Sequence, residues 1–187
     1  MRLFIAIKIP DFIKEEIIKA EDALRQAGSD TKWVEDKNIH ITLKFLGEVK
    51  ESALPEVLST IENLAGNNPP FQYEINGIGA FPSVKHPKIL WIGIGKGKEN
   101  IINLCRNLDE ALDKIGFEKE KKDFHPHITI GRSRSGKNMN ILSDMMQKTP
   151  IGVLKDDVES VFLIKSSLTP KGPVYEDVKE FKLGKKI

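Results

Sequence analysis

The chain of 187 residues has one cysteine, two tryptophans and three glutamines, and its positive and negative charges nearly cancel. A lone Cys105 excludes an internal disulfide, and with it the stapled build of small secreted domains; a reducing, cytoplasmic setting is expected. Scarce glutamine beside abundant lysine and glutamate is a bias shared with heat-adapted proteins. With 29 Lys plus Arg against 27 Asp plus Glu, the formal charge of +2 is too small for the broad electrostatic footprint of a duplex nucleic-acid binder, so any nucleic-acid contact must be local. No apolar run approaches the ~20 residues of a membrane span. The opening run Leu3 to Ile9, interrupted by Lys8 and followed by Pro10 and Asp11, is also too short for a signal-peptide core. Gly93-Ile-Gly-Lys-Gly97 lacks the spacing of a Walker or dinucleotide loop and reads as a strand exit.

What is present is apolar material, 40% of the chain, enough for one sizeable core. Leu3 to Ile7 is a short run expected as a strand buried on both faces. Ile13, Ile17, Ala20, Leu24 and Ala27 recur at helical spacing up to Gly28, which predicts a helix over 11–27 with Asp11 as its N-cap. The same reasoning predicts helices over 52–64, 101–115 and 138–148, that over 101–115 ending before Gly116. Strands are expected near 39–46, 71–78, 88–94, 127–131, 158–165 and 174–182. Phe81-Pro82-Ser83 and His86-Pro87 read as a loop, and Lys171-Gly172-Pro173 as a turn.

Spacing carries a second signal. Leu3-Phe-Ile-Ala-Ile7 returns as Leu90-Trp-Ile-Gly-Ile94, and His40-Ile-Thr-Leu43 as His127-Ile-Thr-Ile130, both at an offset of 87 residues (90 − 3 and 127 − 40). A helix ending at glycine lies between the members of each pair. The expectation is a single domain over 1–187 made of two interleaved, duplicated lobes, whose equivalent strands face each other across a groove.

In a strand, residues i and i+2 share a face, so His40 with Thr42 and His127 with Thr129 each present an imidazole beside a hydroxyl. Two imidazoles on opposite walls suit in-line displacement at phosphorus, because a pKa near 6.5 lets one ring be protonated and the other neutral. The threonine hydroxyls would hold non-bridging oxygens. For one isolated His-x-Thr a satisfied core histidine is the better reading; two copies at a matched offset reverse that preference. His125 shares a face with His127 and would join it and His40 in a three-histidine metal site, but no carboxylate accompanies them; His125 is expected to shape the strand entry, and His86 to sit at the surface. Strict alternation points Arg132 away from Thr129, so its use as a phosphate clamp requires a break at Gly131. Lys44 has the parity of His40 and Thr42 and is expected either to add charge at the groove or to be solvated at the strand end. The basic stretch Arg132 to Lys137 is either an RNA contact or a polar turn. Phe45, Phe81, Trp33 and Tyr175 are the aromatic candidates for stacking on a terminal base.

At His40-Ile-Thr-Leu-Lys-Phe-Leu-Gly47 and Phe124-His-Pro-His-Ile-Thr-Ile-Gly-Arg132, and also at Phe81-Pro-Ser, Leu90-Trp-Ile-Gly and the segment Leu168 to Tyr175, the chain resembles the RNA 2′,3′-cyclic phosphodiesterases of the two-histidine phosphoesterase superfamily, formerly described as 2′-5′ RNA ligases. The resemblance implies a bilobal α+β fold, two antiparallel sheets with outer helices around a V-shaped cleft. It implies hydrolysis of the cyclic phosphate to a 2′-phosphomonoester, with His40 as proton donor to O3′, His127 as acceptor from water, and Thr42, Thr129 and Arg132 on the phosphate. The residues read alone are symmetric and do not separate acid from base. The implied partner is an RNA with a 2′,3′-cyclic phosphate end, tRNA fragments among the candidates. A cytoplasmic monomer is expected, with no metal, cofactor or membrane contact. ATP-independent 2′-5′ joining, the reverse reaction, and a module that binds RNA ends without turnover are the competing readings.

Overall fold

The structure, a computed structural model, describes residues 1–170 and 172–184. Its elements in chain order are β1 (Arg2–Lys8), α1 (Asp11–Arg25), β2 (Thr31–Trp33), β3 (His40–Glu48), α2 (Leu54–Gly66), β4 (Phe71–Ser83), β5 (His86–Ile94), α3 (Lys98–Asp113), β6 (His127–Ser133), α4 (Met139–Lys148), β7 (Lys155–Val158), β8 (Ser160–Thr169) and β9 (Gly172–Lys182). The expected helices and strands are all present. The helix starts differ in detail: Pro10 occupies the N-cap of α1 and Asp11 its first turn, where a carboxylate suits the helix dipole.

The strands run β7-β4-β5-β6-β3-β1-β8-β9, with β2 added to β6, and every pairing is antiparallel. The two expected sheets join at a seam, where β3 and β6 share the single pair Ile41↔Ile128. Beyond that one pair β3 and β6 share no ladder.

Two elements were not expected. Thr31-Lys-Trp33 is too short to show alternation, and Lys-Asp-Asp-Val hides one buried valine, Val158, behind three charges. Phe81–Ser83 and His86 belong to strands rather than to a loop: β4 and β5 form a hairpin whose register runs out to Ser83↔His86. Of the expected turn at 171–173, Lys171 lies outside the described residues; Gly172 and Pro173 open β9.

β1 is buried on both faces, as its sequence suggests. Leu3, Ile5 and Ile7 join the main core with Ile41, Leu90, Ile92 and Ile128, so strands of both halves share one interior with the apolar stripes of α1, α2 and α3. Phe4 and Ala6 point the other way and pack with Ile164, Phe162 and Tyr175 in a second, smaller cluster. Helix α3 lies behind β3, where the Cys105 thiol donates to the Leu43 carbonyl (3.0 Å).

Candidate active site

The two halves carry the same irregularity at the same place. On β3 the register with β1 skips from Thr42 to Lys44, leaving Leu43 as the extra residue of a bulge. On β6 the register with β5 skips from Thr129 to Gly131, leaving Ile130. Each bulge falls three residues after a histidine. A bulge shifts the side-chain phase by one, so residues beyond it exchange faces.

That shift decides two residues. Lys44 does not face the groove: it is 3% exposed, paired with Asp109 of α3, and donates to the Glu118 carbonyl at 2.8 Å. Parity failed there because the bulge lies between Thr42 and Lys44. Its neighbour Phe45 takes the cleft face instead, 59% exposed. On β6 the same displacement turns Arg132 into the cleft. The break comes at Ile130, one residue earlier than expected. Gly131 has a different role, since a Cβ there would stand 2.9 Å from the Thr31 methyl and 3.2 Å from the Trp33 ring; its absence lets β2 dock.

His40, Thr42, His127, Thr129 and Arg132 line one cavity of about 200 Å³, together with Lys32, Asn38, Phe45, Pro173 and Tyr175. Pockets for drug-sized ligands run to ~300–1,000 Å³, so this one is small. Each imidazole is fixed in the same way. His40 Nδ1–H donates to the carbonyl of Asn38 (2.7 Å), and His127 Nδ1–H to the carbonyl of His125 (2.6 Å), the acceptor lying two residues back in both. A carbonyl can only accept, so Nδ1 carries the proton in both neutral rings and Nε2 is left as the exchanging nitrogen. Nε2 of His40 also lies 2.8 Å from the Thr42 hydroxyl.

Aromatic rings surround both imidazoles. Phe4 and Tyr175 pack on His40 at centroid distances of 5.0 and 5.5 Å, and Phe81 and Trp91 on His127 at 5.1 and 6.4 Å. Phe4 and Trp91 keep the 87-residue offset (91 − 4). The Trp91 ring lies across Gly79, where any Cβ would overlap it.

Burial is the main reason both imidazoles titrate below the ordinary histidine range. The His127 charge depresses His40 further, and the charges of His125 and Arg132 depress His127. The charge of His127 is therefore felt at His40 across one cavity.

The remaining candidates separate. His125 is packed edge-on to Phe81 (5.6 Å) and tilted against Trp91 (5.3 Å), and it does not line the cavity. Among the described residues no group of three His, Cys, Asp or Glu side chains is placed to hold a metal ion. His86 is exposed. Of the basic stretch only Arg132 lines the cavity; Arg134 and Lys137 are exposed beyond it. Among the aromatics, Phe45 and Tyr175 reach the cavity, Phe81 supports His127, and Trp33, at the cavity edge, carries the Arg25 guanidinium over its ring at 5.0 Å.

Sequence reasoning passed over Asn38, Phe4, Trp91 and Lys32. The first signal was available, since Asn38 and His125 stand two residues before the histidines, and so was the second, in the paired pentamers. Lys32 depends on β2, which carried no periodic signal. Asn38 is buried, and its amide donates to the Pro173 carbonyl (3.2 Å), tying the β8–β9 hairpin to the His40 wall.

The sequence pattern of the 2′-5′ RNA ligase superfamily matches residues 13–167. The chain is 40% identical over 182 residues to an RNA 2′,3′-cyclic phosphodiesterase of Methanocaldococcus jannaschii, covering 97% of this chain and 100% of that one. It is 38% identical over 189 residues to the protein of the same name from Aquifex aeolicus, covering 98% of each. Among solved structures, a Thermus thermophilus protein, TT0787, superposes over the whole of both chains with a TM-score of 0.84 and 28% identity. E. coli LigT complexed with 3′-AMP superposes over 97% of each with a TM-score of 0.74 and 25% identity.

Proposed function

The chain belongs to the 2′-5′ RNA ligase superfamily, and from that premise we propose that it hydrolyses RNA 2′,3′-cyclic phosphate ends to 2′-phosphomonoesters by two-histidine acid–base chemistry that needs no metal. The observation that carries the reading is the pair of imidazoles lining one cavity, each with Nδ1 held by a carbonyl and Nε2 left to exchange a proton.

In this mechanism Nε2 of neutral His127 takes a proton from water as its oxygen attacks phosphorus opposite O3′. The P–O3′ bond breaks, and Nε2–H of protonated His40 delivers its proton to O3′. A 2′-phosphate and a free 3′-hydroxyl result, and solvent resets both rings. The chain's departure from symmetry supports this direction. The positions five residues beyond each histidine hold Phe45 on one side and Arg132 on the other. The Arg132 charge favours neutral His127, the form a base requires. The one cation that depresses His40 is the His127 ring, which is uncharged when it serves as the base, and His40 gains its proton when an anionic phosphate enters beside it. Thr42, Thr129 and the Arg132 fork bind the non-bridging oxygens.

The test is the product of an RNA ending in a 2′,3′-cyclic phosphate, incubated in excess chelator. A 2′-phosphate is expected. A 3′-phosphate, or activity that vanishes in chelator and returns with a divalent ion, overturns the mechanism.

A further inference from the structure

We propose that Lys32 is a second phosphate anchor, holding the internucleotide phosphodiester on the 5′ side of the reacting nucleotide, so that the protein prefers RNA strands to free cyclic nucleosides. The proposal rests on the cyclic phosphodiesterase reading of the cleft and extends it from the reacting phosphate to the polymer.

The antiparallel register of β2 on β6 sets Lys32 directly opposite Arg132. Directly opposed residues share a face, with Cβ atoms about 5 Å apart, and like charges so placed repel. Among the described residues neither cation has an ion-pair or side-chain hydrogen-bond partner that would relieve this. Glu35, the carboxylate on the same rim of the cavity, is already paired with Lys37 at 2.9 Å. Two unneutralised cations facing one cavity describe a place where anionic charge arrives with the substrate.

The two cations are not equivalent. Arg132 is felt by His127 and by Tyr175, so it serves the reacting centre. Lys32 stands on β2, which takes up the edge of β6 where β3 leaves it, and a Cβ on Gly172 of the β8–β9 hairpin would lie 3.5 Å from its Nζ. Arg132 itself is five residues along β6 from His127, at about 3.3 Å each before the bulge shortens the path. Lys32, level with Arg132 and one strand across from it, is placed for the next phosphate along the chain once Arg132 holds the one between the imidazoles. An ammonium also suits this position, because it meets a phosphodiester as a point charge, without the planar fit that the Arg132 fork imposes at the reacting centre.

The experiment compares a nucleoside 2′,3′-cyclic phosphate lacking a 5′-phosphate with a short RNA ending in the same cyclic nucleotide, for wild type, Lys32→Gln and Lys32→Arg. Lys32→Gln is expected to lower kcat/KM on the RNA roughly five- to tenfold, through KM, and to leave the nucleoside unchanged. The slope of log(kcat/KM) on log salt for the RNA should become shallower by about 0.7, one single-strand phosphate contact. Lys32→Arg should keep the RNA preference. Equal losses on both substrates, or no loss on RNA, overturn the proposal while leaving the catalytic reading intact. A wild-type protein inert on both substrates overturns the two together.

Discussion

At the scale of single residues, the two histidines are chemically alike and differ only in their neighbours. Both donate Nδ1–H to a carbonyl two residues back, and burial holds both below the ordinary histidine pKa. Near neutral pH the free protein therefore has both rings neutral, and under the proposed mechanism the acid acquires its proton as substrate binds. The alkaline limb of kcat/KM is expected to inflect below about 6.5, where the free protein loses the last imidazolium as pH rises. The alkaline limb of kcat should lie higher, because bound phosphate favours the charged ring. Coincident limbs in the two profiles would contradict this. His40→Ala and His127→Ala should each cost about 10²–10⁴ in kcat. Arg132→Lys should recover little of the Arg132→Ala loss, because an ammonium cannot offer the guanidinium fork; near-complete recovery would reduce Arg132 to a point charge.

At the scale of elements, the matched bulges on β3 and β6 matter most. They place Phe45 and Arg132 in the cleft and send Lys44 inward, where it and Asp109, which also accepts the backbone N–H of Glu120 at 3.2 Å, tie β3, α3 and the following loop together. Removing one partner strands the other charge in the interior, so Asp109→Ala should destabilise by about 3–5 kcal/mol in urea unfolding. Lys44→Met in that background should restore part of it. A second buried ionisable group lies on α1. Glu21 is 1% exposed, and burial pushes its carboxyl up to about 8, although Arg25 lies 3.3 Å away. A raised carboxyl binds its proton more tightly folded than unfolded, so its contribution is full below about 4.5 and declines as pH climbs to about 8. Glu21→Gln should therefore raise stability at pH 8 relative to pH 5 by roughly 2–4 kcal/mol. Parallel stability profiles for wild type and variant would refute it. The histidine, threonine and helix positions were legible because period 2 and period 3.6 are written directly in the apolar pattern. Lys44 was misplaced and Arg132 stayed conditional because a bulge changes the phase without changing the residues that announce a strand.

At the scale of the whole molecule, one interior serves both halves: Ile5 and Ile41 from one and Ile92 and Ile128 from the other pack in a single cluster. We propose that the two halves are duplicated lobes of one cooperative domain. Ile5→Ala and Ile92→Ala should each cost about 2–5 kcal/mol and lower the temperature of the same calorimetric transition. Two separable transitions would show lobes that fold alone. By itself, the sequence determined the four helices, the longer strands, the paired motifs and the face on which each histidine lies, because those follow from local periodicity and from a repeat offset. Only the tertiary structure decided that the two walls meet at one bridging pair, that Lys44 turns inward, and that Lys32 stands opposite Arg132. Register, bulges and cross-strand neighbours arise between segments distant along the chain, and no local pattern records them.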